Sequence, residues 1–193
     1  MDLCGKSIIL RTYESVVETG LFHSVYVVTE DKEIYNEIVN AGGNSILSKN
    51  KHESGSDRIA EACVSIDSDA FVNIQGDEPF IDSSSLNKLV FELNNSDHVS
   101  LMINISDIND INDPNNVKVI VDSENYALYF SRSVIPFCRD VKTSEVTYYK
   151  HIGVYGFTKQ ALVNFSKLPP SKLELVEKIE AIRIVENGSR IKR

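Results

Sequence analysis

The segment Gln-Gly-Asp-Glu-Pro at residues 75–79 follows a short apolar run and is the most distinctive local motif of the chain. Gly76 permits a tight turn, and Pro79 stiffens the exit from it. Asp77 is thereby held where a predicted strand ends, a position from which a carboxylate can hold magnesium against the phosphates of a nucleotide. The alternative interpretation is an acidic turn that caps a helix beginning near Ser83, because short motifs recur by chance.

A second polar segment, His-Glu-Ser-Gly-Ser-Asp-Arg, lies at residues 52–58. Its small residues, Ser56 among them, expose backbone amides at the start of a predicted helix, which is a natural site for an anion or a nucleotide. Arg58 can reach a phosphate from this position. The segment taken alone also fits a capped helix in which Arg58 pairs with Glu61 or Glu53, and that simpler interpretation is preferred.

The second half of the chain offers further polar candidates. Arg132 follows a predicted strand and Arg139 comes soon after it, and two arginines suit a carboxylate because each guanidinium fork can bind both oxygens. His151 and Tyr155 lie on another predicted strand at an even spacing, so their side chains point to the same face. Two surface arginines and a core tyrosine are the simpler interpretation of these residues.

The last predicted helix carries Glu174, Glu177, Glu180 and Arg183 at intervals of three residues. This spacing places the four side chains along one narrow stripe of the helix. Without further support, the stripe is interpreted as a solvated face on which Glu180 pairs with Arg183.

Helix and strand patterns alternate through the first half of the chain, which predicts an α/β fold. The expected architecture is a mostly parallel sheet with helices on both faces, and ligands bind such sheets outside the carboxyl ends of the strands. The motif at 75–79 follows directly on one of these ends. The predicted helices cover 7–19, 32–40 and 57–64, and the predicted strands cover 24–28, 44–47 and 70–74.

In the second half of the chain, helix and strand patterns no longer alternate regularly, and no internal repeat is found. Residues 104–116 are rich in Asn and Asp and are expected to form a loop. A last helix is expected to open at Ser171, with Glu174 in the capping-box position. The remaining predicted elements are strands at 117–121, 127–130 and 152–157 and a helix at 158–166.

Composition limits the classes of function. The 193 residues are enough for one domain, expected to span 1–193, and no apolar run approaches the roughly 20 residues that cross a bilayer. A net charge of −8 makes the chain a poor candidate for nucleic-acid binding, which depends on phosphate neutralisation. The basic start and apolar stretch of a secretory signal are not recognised at the amino terminus. Cys4, Cys63 and Cys138 are odd in number and scattered, which favours a reducing, cytoplasmic location.

Taken together and in this order, these segments resemble the 3-deoxy-manno-octulosonate (Kdo) cytidylyltransferases over essentially the whole chain. The resemblance implies a nucleotide-binding α/β sheet with a smaller mixed β region for dimerisation, and it implies a homodimer. The implied reaction transfers CMP from CTP to the sugar acid Kdo, with Mg²⁺ and release of pyrophosphate, for lipopolysaccharide biosynthesis. The stretches that carry the resemblance are 52–58, 72–79, 126–132 with Ile135 and Pro136 behind it, 151–156 and 174–183.

The resemblance also implies roles for individual residues. Asp77 corresponds to a catalytic magnesium ligand, while Ser56 and Arg58 correspond to nucleotide contacts. Gln75 is expected to contact both the nucleotide and the sugar acid, and Arg132 is expected to bind the sugar acid and to contribute to catalysis. The other implied contacts to the sugar acid are Arg139, His151, Tyr155 and Glu180.

The chain departs from the family pattern in three places. A first strand with a basic triphosphate loop is not found before Leu3, and a Gly-x-Asp-Thr-Pro segment with a second metal-binding aspartate is not found after Arg193. Ala181 stands where many members have glutamine. The expectation is a partial or degenerate copy whose activity is impaired. The alternatives are a cytidylyltransferase for another sugar acid, such as a nonulosonate, and a non-catalytic binding or dimerisation module of the same fold.

Overall fold

A computed structural model describes residues 2–3, 5–52, 54–142 and 145–193. Cys4 and Glu53 therefore lie outside the described residues. The helices are α1 (Ile8–Glu18), α2 (Lys32–Asn40), α3 (Gly55–Cys63), α4 (Ser83–Glu92), α5 (Ile108–Asn112), α6 (Lys159–Phe165), α7 (Lys172–Glu177) and α8 (Ala181–Glu186). The strands are β1 (Asp2–Leu3), β2 (Lys6–Ser7), β3 (Val27–Thr29), β4 (Ser45–Leu47), β5 (Ala70–Ile74), β6 (His98–Ile105), β7 (Lys118–Val121), β8 (Ala127–Ser131) and β9 (Tyr148–Thr158).

Side chains placed just before the helices determine where most of them begin. The Ser54 hydroxyl accepts a hydrogen bond from the Asp57 amide at the start of α3, and the Asp82 carboxylate accepts one from the Ser85 amide at the start of α4. Ser171 and Glu174 form a complete capping box at the start of α7. These contacts satisfy amides that have no partner within the helix, and they fix the helix starts locally.

Two kinds of strand pairing are present in the described part of the chain. β3 and β4 pair in parallel, as the α/β pattern predicts. The five-stranded sheet is antiparallel throughout, with the order β5-β9-β7-β8 and with β6 paired along β9. The α/β class is thus confirmed, whereas parallel pairing among the described residues comprises β3 with β4 and one isolated bridge between Val99 and Lys192. A short turn at 122–126 joins β7 to β8, and a connection of this length can form only an antiparallel pair.

The structure differs from the sequence prediction in several elements, among them the short strands β1 and β2 before the first predicted helix. Strand β6 was not predicted, because its buried face carries the polar residues His98 and Ser100, whose types conceal the apolar pattern of a strand. The expected loop at 104–116 contains the short helix α5. The expected last helix is divided into α7 and α8 at Lys178, which adopts a left-handed conformation with φ 57°.

Two groups of buried apolar side chains hold the helices on the sheet. The larger group joins α3, α6 and α8 to the antiparallel sheet and includes Phe130, Phe157 and Ile182. The second packs α4 against β6 and β9 around Leu86 and Val154. Within the described ranges, no helix combines the length and the apolar character that a membrane span requires.

Candidate active site

A cavity of about 520 Å³ lies among the carboxyl end of β5, the start of α3, β9 and the α7–α8 segment. We call it the polar cleft. It collects five of the residues singled out in the sequence from four separate stretches of the chain. These residues are Gln75, Arg132, His151, Tyr155 and Glu180.

A larger cavity of about 810 Å³, the sheet cavity, lies between β3 and β5 and is covered by α1 and α3. Its walls combine apolar side chains, such as Val28 and Val72, with polar and charged ones, such as Arg58 and Asp77. Gln75 lines both cavities, and Glu78 lines the polar cleft. The turn that carries Asp77 therefore borders both spaces.

Gln75 is packed closely against strand β9. A β-carbon at Gly153 would lie 2.9 Å from Gln75 Cδ and 3.0 Å from its Oε1, so any side chain at 153 would require the Gln75 amide to move. Glycine permits this close approach between a strand and a neighbouring side chain. The Gln75 side chain is consequently held over β9 between the two cavities.

Asp77 and Glu78 put two carboxyl groups next to each other at this turn. Burial and, secondarily, the negative charge of Asp77 raise the pKa of the Glu78 carboxyl, while the Lys150 ammonium acts in the opposite direction. The described residues contain no group of three or more His, Cys, Asp or Glu side chains that could hold a metal ion. Mg²⁺ commonly takes only one or two protein carboxylates and completes its shell with phosphates and water, so Asp77 fits such a role.

Arg132 uses its guanidinium to hold backbone. Its Nε donates to the Glu177 carbonyl at 2.7 Å, its Nη1 to the Pro114 carbonyl at 2.9 Å and its Nη2 to the Lys178 carbonyl at 3.5 Å. The Arg132 amide also donates to the Glu177 carboxylate at 2.9 Å. Arg132 thus lines the cleft, but much of its donor capacity fixes the end of α7.

Glu180 is tied to the start of α3. Its carboxylate accepts hydrogen bonds from the Ser56 hydroxyl at 3.0 Å and the Ser56 amide at 3.3 Å, and Asn73 Nδ2 donates to the same hydroxyl at 3.2 Å. Burial raises the pKa of Glu180, against the effect of the hydrogen bonds from Ser56. Ser56 is fully buried and holds Glu180 in the wall of the cleft.

His151 and Tyr155 form a buried pair, with His151 Nε2 2.7 Å from Tyr155 Oη. Burial, followed by the charge of Arg193, holds the pKa of His151 well below its usual range, so the imidazole is neutral. The guanidinium of Arg193 lies 3.0 Å from His151 Nδ1 and can only donate, which leaves the imidazole proton on Nε2. His151 then donates to Tyr155 Oη, and the tyrosine hydroxyl hydrogen is left for an acceptor in the cleft.

The two remaining predicted arginines have different surroundings. Arg58 lies 3.8 Å from Glu30, and its Nε is buried without a hydrogen-bond partner in the described residues. Glu61, an alternative partner expected from the sequence, is instead bound to His52, Ser48 and the Lys49 amide. These contacts hold the pKa of Glu61 at about 2.

Arg139 lies outside both cavities. Its side chain is 88% exposed and lies 3.7 Å from Asp140, in an exposed segment after β8. It is the one predicted sugar-acid contact that the structure does not bring to the polar cleft, because it lies in residues 137–141, which are exposed apart from half-buried Cys138.

The pairing of Glu180 with Arg183 expected from the sequence is wrong. Arg183 is only 1% exposed and binds Asp57 at 2.9 Å and Glu174 at 2.6 Å, while Glu180 turns towards Ser56. The break at Lys178 puts Glu174 and Glu177 on α7, whereas Glu180 is the N-cap residue of α8, and its carboxylate is held by Ser56 at the start of α3. Sequence reasoning also missed four residues that line the cleft: Glu78, Asn115, Lys150 and Lys178. Glu78 is next to Asp77 and Lys150 is next to His151 in the sequence, and this adjacency to predicted site residues was the available signal.

Replacing Arg183 with methionine should lower the free energy of unfolding by about 3–5 kcal/mol, because two largely buried carboxylates lose their cation. Urea denaturation followed by circular dichroism measures the change. Arg190→Met is the matched control: Arg190 also binds two carboxylates, but it is 56% exposed, and its loss should cost less than about 1 kcal/mol. Equal losses in the two variants would contradict the structural role of Arg183.

Comparison with known proteins agrees with this geometry. The model of a protein family described as Cytidylyltransferase matches residues 1–191. A protein of Christiangramia forsetii named 3-deoxy-manno-octulosonate cytidylyltransferase is 55% identical over 99% of this chain and 79% of its own length. A protein of the same name from Flavobacterium johnsoniae is 52% identical over 99% of this chain and 80% of its own length.

Solved structures show the same relationship. A CMP:2-keto-3-deoxy-manno-octonic acid synthetase complexed with CTP superposes with a TM-score of 0.91 at 33% identity, over 100% of this chain and 80% of that chain. A 4-diphosphocytidyl-2C-methyl-D-erythritol synthase from Anaerococcus prevotii covers 100% of this chain and 80% of its own, with a TM-score of 0.61 at 14% identity, and shares the fold alone. The family match over nearly the whole chain, together with these identities, shows that the chain belongs to the cytidylyltransferase family.

Proposed function

We propose that this chain transfers CMP from CTP to the sugar acid Kdo, releases pyrophosphate, and so supplies an activated sugar for lipopolysaccharide biosynthesis. The observation that carries the proposal is the joining of two spaces at Gln75: a polar cleft with hydrogen-bonding side chains and a cavity that Arg58 and Asp77 line. The relatives named above support the choice of substrates, since this chain covers 79% or 80% of the length of each of the Kdo enzymes among them.

On the nucleotide side, Arg58 is the proposed phosphate or nucleotide contact. Its buried Nε has no partner among the described residues, and a buried donor of this kind is costly unless a ligand accepts from it. Arg58 also lies in the first turn of α3, whose amino end favours negative charge. Ser56 contributes indirectly in this proposal, since its amide and hydroxyl bind Glu180.

On the sugar-acid side, the polar cleft offers donors of several kinds. Tyr155 has a hydroxyl hydrogen to donate, and Lys150 and Lys178 are among the residues that line the cleft. Glu180 is a possible acceptor for a sugar hydroxyl. Arg132 has two roles in this proposal. It lines the cleft, and it holds the backbone at the end of α7 in place through hydrogen bonds to carbonyl groups. Arg139 stays a prediction from the resemblance.

In the proposed reaction, the anomeric hydroxyl oxygen of the sugar attacks the α-phosphorus of CTP in line. A new phosphorus–oxygen bond forms, the bond to pyrophosphate breaks, and the hydroxyl proton passes to solvent. The residues of the chain orient the two substrates and offset their like charges. Mg²⁺ held by Asp77, when bound, supplies charge neutralisation at the phosphates. Cys63 and Cys138 carry free thiols, and a structural role for them fits a mechanism without a covalent nucleophile.

An assay with CTP, Kdo and Mg²⁺ tests the proposal. The chain should form CMP-Kdo and pyrophosphate, detected by ³¹P NMR, and chelation of the metal should stop the reaction. Asp77→Asn should reduce kcat/KM by about 10²-fold or more, because it removes a charge that acts on the reacting phosphates. Asp69→Asn is the matched control, since Asp69 precedes the same strand that Asp77 follows and should leave the rate unchanged.

The same assay with N-acetylneuraminic acid separates the alternatives. A higher rate with that sugar acid than with Kdo would assign the chain to another group of cytidylyltransferases. Calorimetry with CTP and Mg²⁺ covers the case of no turnover, because the absence of metal-dependent CTP binding would favour a non-catalytic module.

Gly153→Ala should displace the Gln75 side chain from β9, because the added β-carbon would lie 2.9 Å from Gln75 Cδ. We expect binding of both CTP and Kdo to weaken about tenfold, in line with the loss of one or two hydrogen bonds, as measured by calorimetry. Gly156→Ala is the matched control on the same strand: its β-carbon would lie 2.8 Å from Leu89 and Leu93 in the core. That variant should lose stability and keep its affinities.

We also propose that the chain is a homodimer that works in the cytoplasm. The support for self-association is the exposure of apolar side chains in the segment after β8, where Phe137 is 87% and Val141 52% exposed. The free thiols of Cys63 and Cys138 are consistent with a reducing compartment.

Light scattering coupled to size-exclusion chromatography should therefore give a mass near twice 21.6 kDa. Phe137→Ser should shift the population towards the monomer, because burial of a phenylalanine contributes about 1.5–3 kcal/mol per copy. Phe91→Ser, which changes an exposed phenylalanine of α4, is the control. A monomer in the wild type at all concentrations would contradict the dimer.

A further inference from the structure

Lys118 is a fully buried lysine that is not ion-paired with any carboxylate in the described part of the chain. Its ammonium instead donates to two backbone carbonyls, Asp113 O at 2.9 Å and Asn116 O at 2.6 Å. Burial lowers the pKa of this lysine, against the attraction of Asp113. Lysine is rarely buried without a carboxylate partner, so the two carbonyl contacts need an explanation.

The two carbonyls belong to one tight turn, residues 113–116, immediately before β7. Inside the turn the Asn116 amide donates to Asp113 O at 3.1 Å, and the Asn115 amide donates to the Asp113 carboxylate at 2.8 Å. The ammonium of Lys118 spans the open side of this turn and holds both of its ends. A neutral apolar side chain of similar length would leave the buried Asn116 carbonyl and the half-buried Asp113 carbonyl without this donor.

The other side of the same turn faces the polar cleft. Asn115 lines the cleft, and the Pro114 carbonyl accepts the hydrogen bond from Arg132 Nη1. Directly after the turn, the Val117 carbonyl accepts from the His151 amide at 2.8 Å. The turn therefore lies between the buried ammonium on one side and the cleft on the other.

Arg132 links the 113–116 turn to the end of α7, which forms another wall of the cleft. The same guanidinium that binds Pro114 also binds the carbonyls of Glu177 and Lys178 at the end of α7. Lys178 is the left-handed residue between α7 and α8, and Glu180 follows it. A shift of the turn would loosen Arg132 and, through it, the segment that presents Lys178 and Glu180 to the cleft.

We propose that Lys118 is a positioning residue for the sugar-acid side of the cleft, which it controls through the 113–116 turn and the Arg132 guanidinium. The inference rests on the function proposed above. It predicts that a change at Lys118 weakens the use of Kdo but not that of CTP. The reason is that the turn and the α7 end border the polar cleft, whereas Arg58 and Asp77 line the sheet cavity.

Lys118→Met, Lys118→Arg and Lys159→Met are the variants for the test. Methionine keeps the length and apolar character of the chain and removes the ammonium, while arginine restores a donor. Lys159 is the matched control, because its ammonium also donates to a backbone carbonyl, Ile66 O at 2.9 Å, and does not line the polar cleft.

Steady-state kinetics is the first measurement. Lys118→Met should raise KM for Kdo about tenfold, the effect of losing one well-placed hydrogen bond, and should leave KM for CTP within about twofold. Lys118→Arg should recover part of the loss, and Lys159→Met should match the wild type. Equal changes in both KM values, or no change beyond that of Lys159→Met, would overturn the proposal.

Hydrogen exchange followed by mass spectrometry is the second measurement and needs no turnover. Lys118→Met should speed exchange in 113–117 and also in 177–180, and Lys159→Met should affect neither segment. Faster exchange confined to 113–117 would show that the turn does not control the α7 end and would overturn the proposal. An inactive wild type with the expected exchange pattern would instead reject the proposed function and leave the positioning role supported.

Discussion

The burial of one guanidinium organises the site. Arg183 of α8 is almost completely removed from solvent, binds Asp57 of α3 and Glu174 of α7, and lies over the Phe165 ring at 4.3 Å. Hydrogen bonds to the two carboxylates raise its pKa further despite its burial, so it stays charged. A buried cation with two partners fixes their positions more than it adds stability, because desolvation offsets most of the attraction. Three helices are thereby held in one arrangement.

The two carboxylates that bind Arg183 also make hydrogen bonds at the starts of their own helices, so the helix ends and the cleft are coupled. Glu174 completes the capping box of α7 through the Ser171 amide while it binds Arg183, and Asp57 accepts from the Ser54 hydroxyl. The end of α7 is fixed from the opposite side by Arg132. Lys178 can therefore keep a left-handed backbone that is unfavourable for a residue with a β-carbon, because both neighbouring helices are anchored. The strained residue lies in the wall of the cleft.

The elements that sequence reasoning predicted well have local causes, and those that it missed depend on distant contacts. The bounds of α2 and β5 agree with the prediction, because capping by Asp31 and a compact apolar run determine them. The burial of Arg183 depends on Asp57, 126 residues away in sequence, and spacing within a helix cannot reveal it. Strand β6 was missed for a similar reason: the Ser100 hydroxyl is buried only because the Val154 carbonyl on β9 accepts from it.

The charges of this acidic chain are distributed so that it can bind two anionic substrates. The net charge is −8, yet Arg183 offsets part of the charge of Asp57 and Glu174 inside the protein, and Ser56 binds Glu180. Lys150 and Lys178 remain along the polar cleft, while burial raises the pKa of Glu78 and so reduces its tendency to ionise there. The local field in the proposed sugar-acid site is consequently set by a few cations close to the ligand, since the remote acidic surface is screened by solvent and salt. Specific binding of an anion by such a chain therefore requires rigid surroundings for those cations, and the contacts of Arg132 and Arg183 fix the α7–α8 segment that carries Lys178.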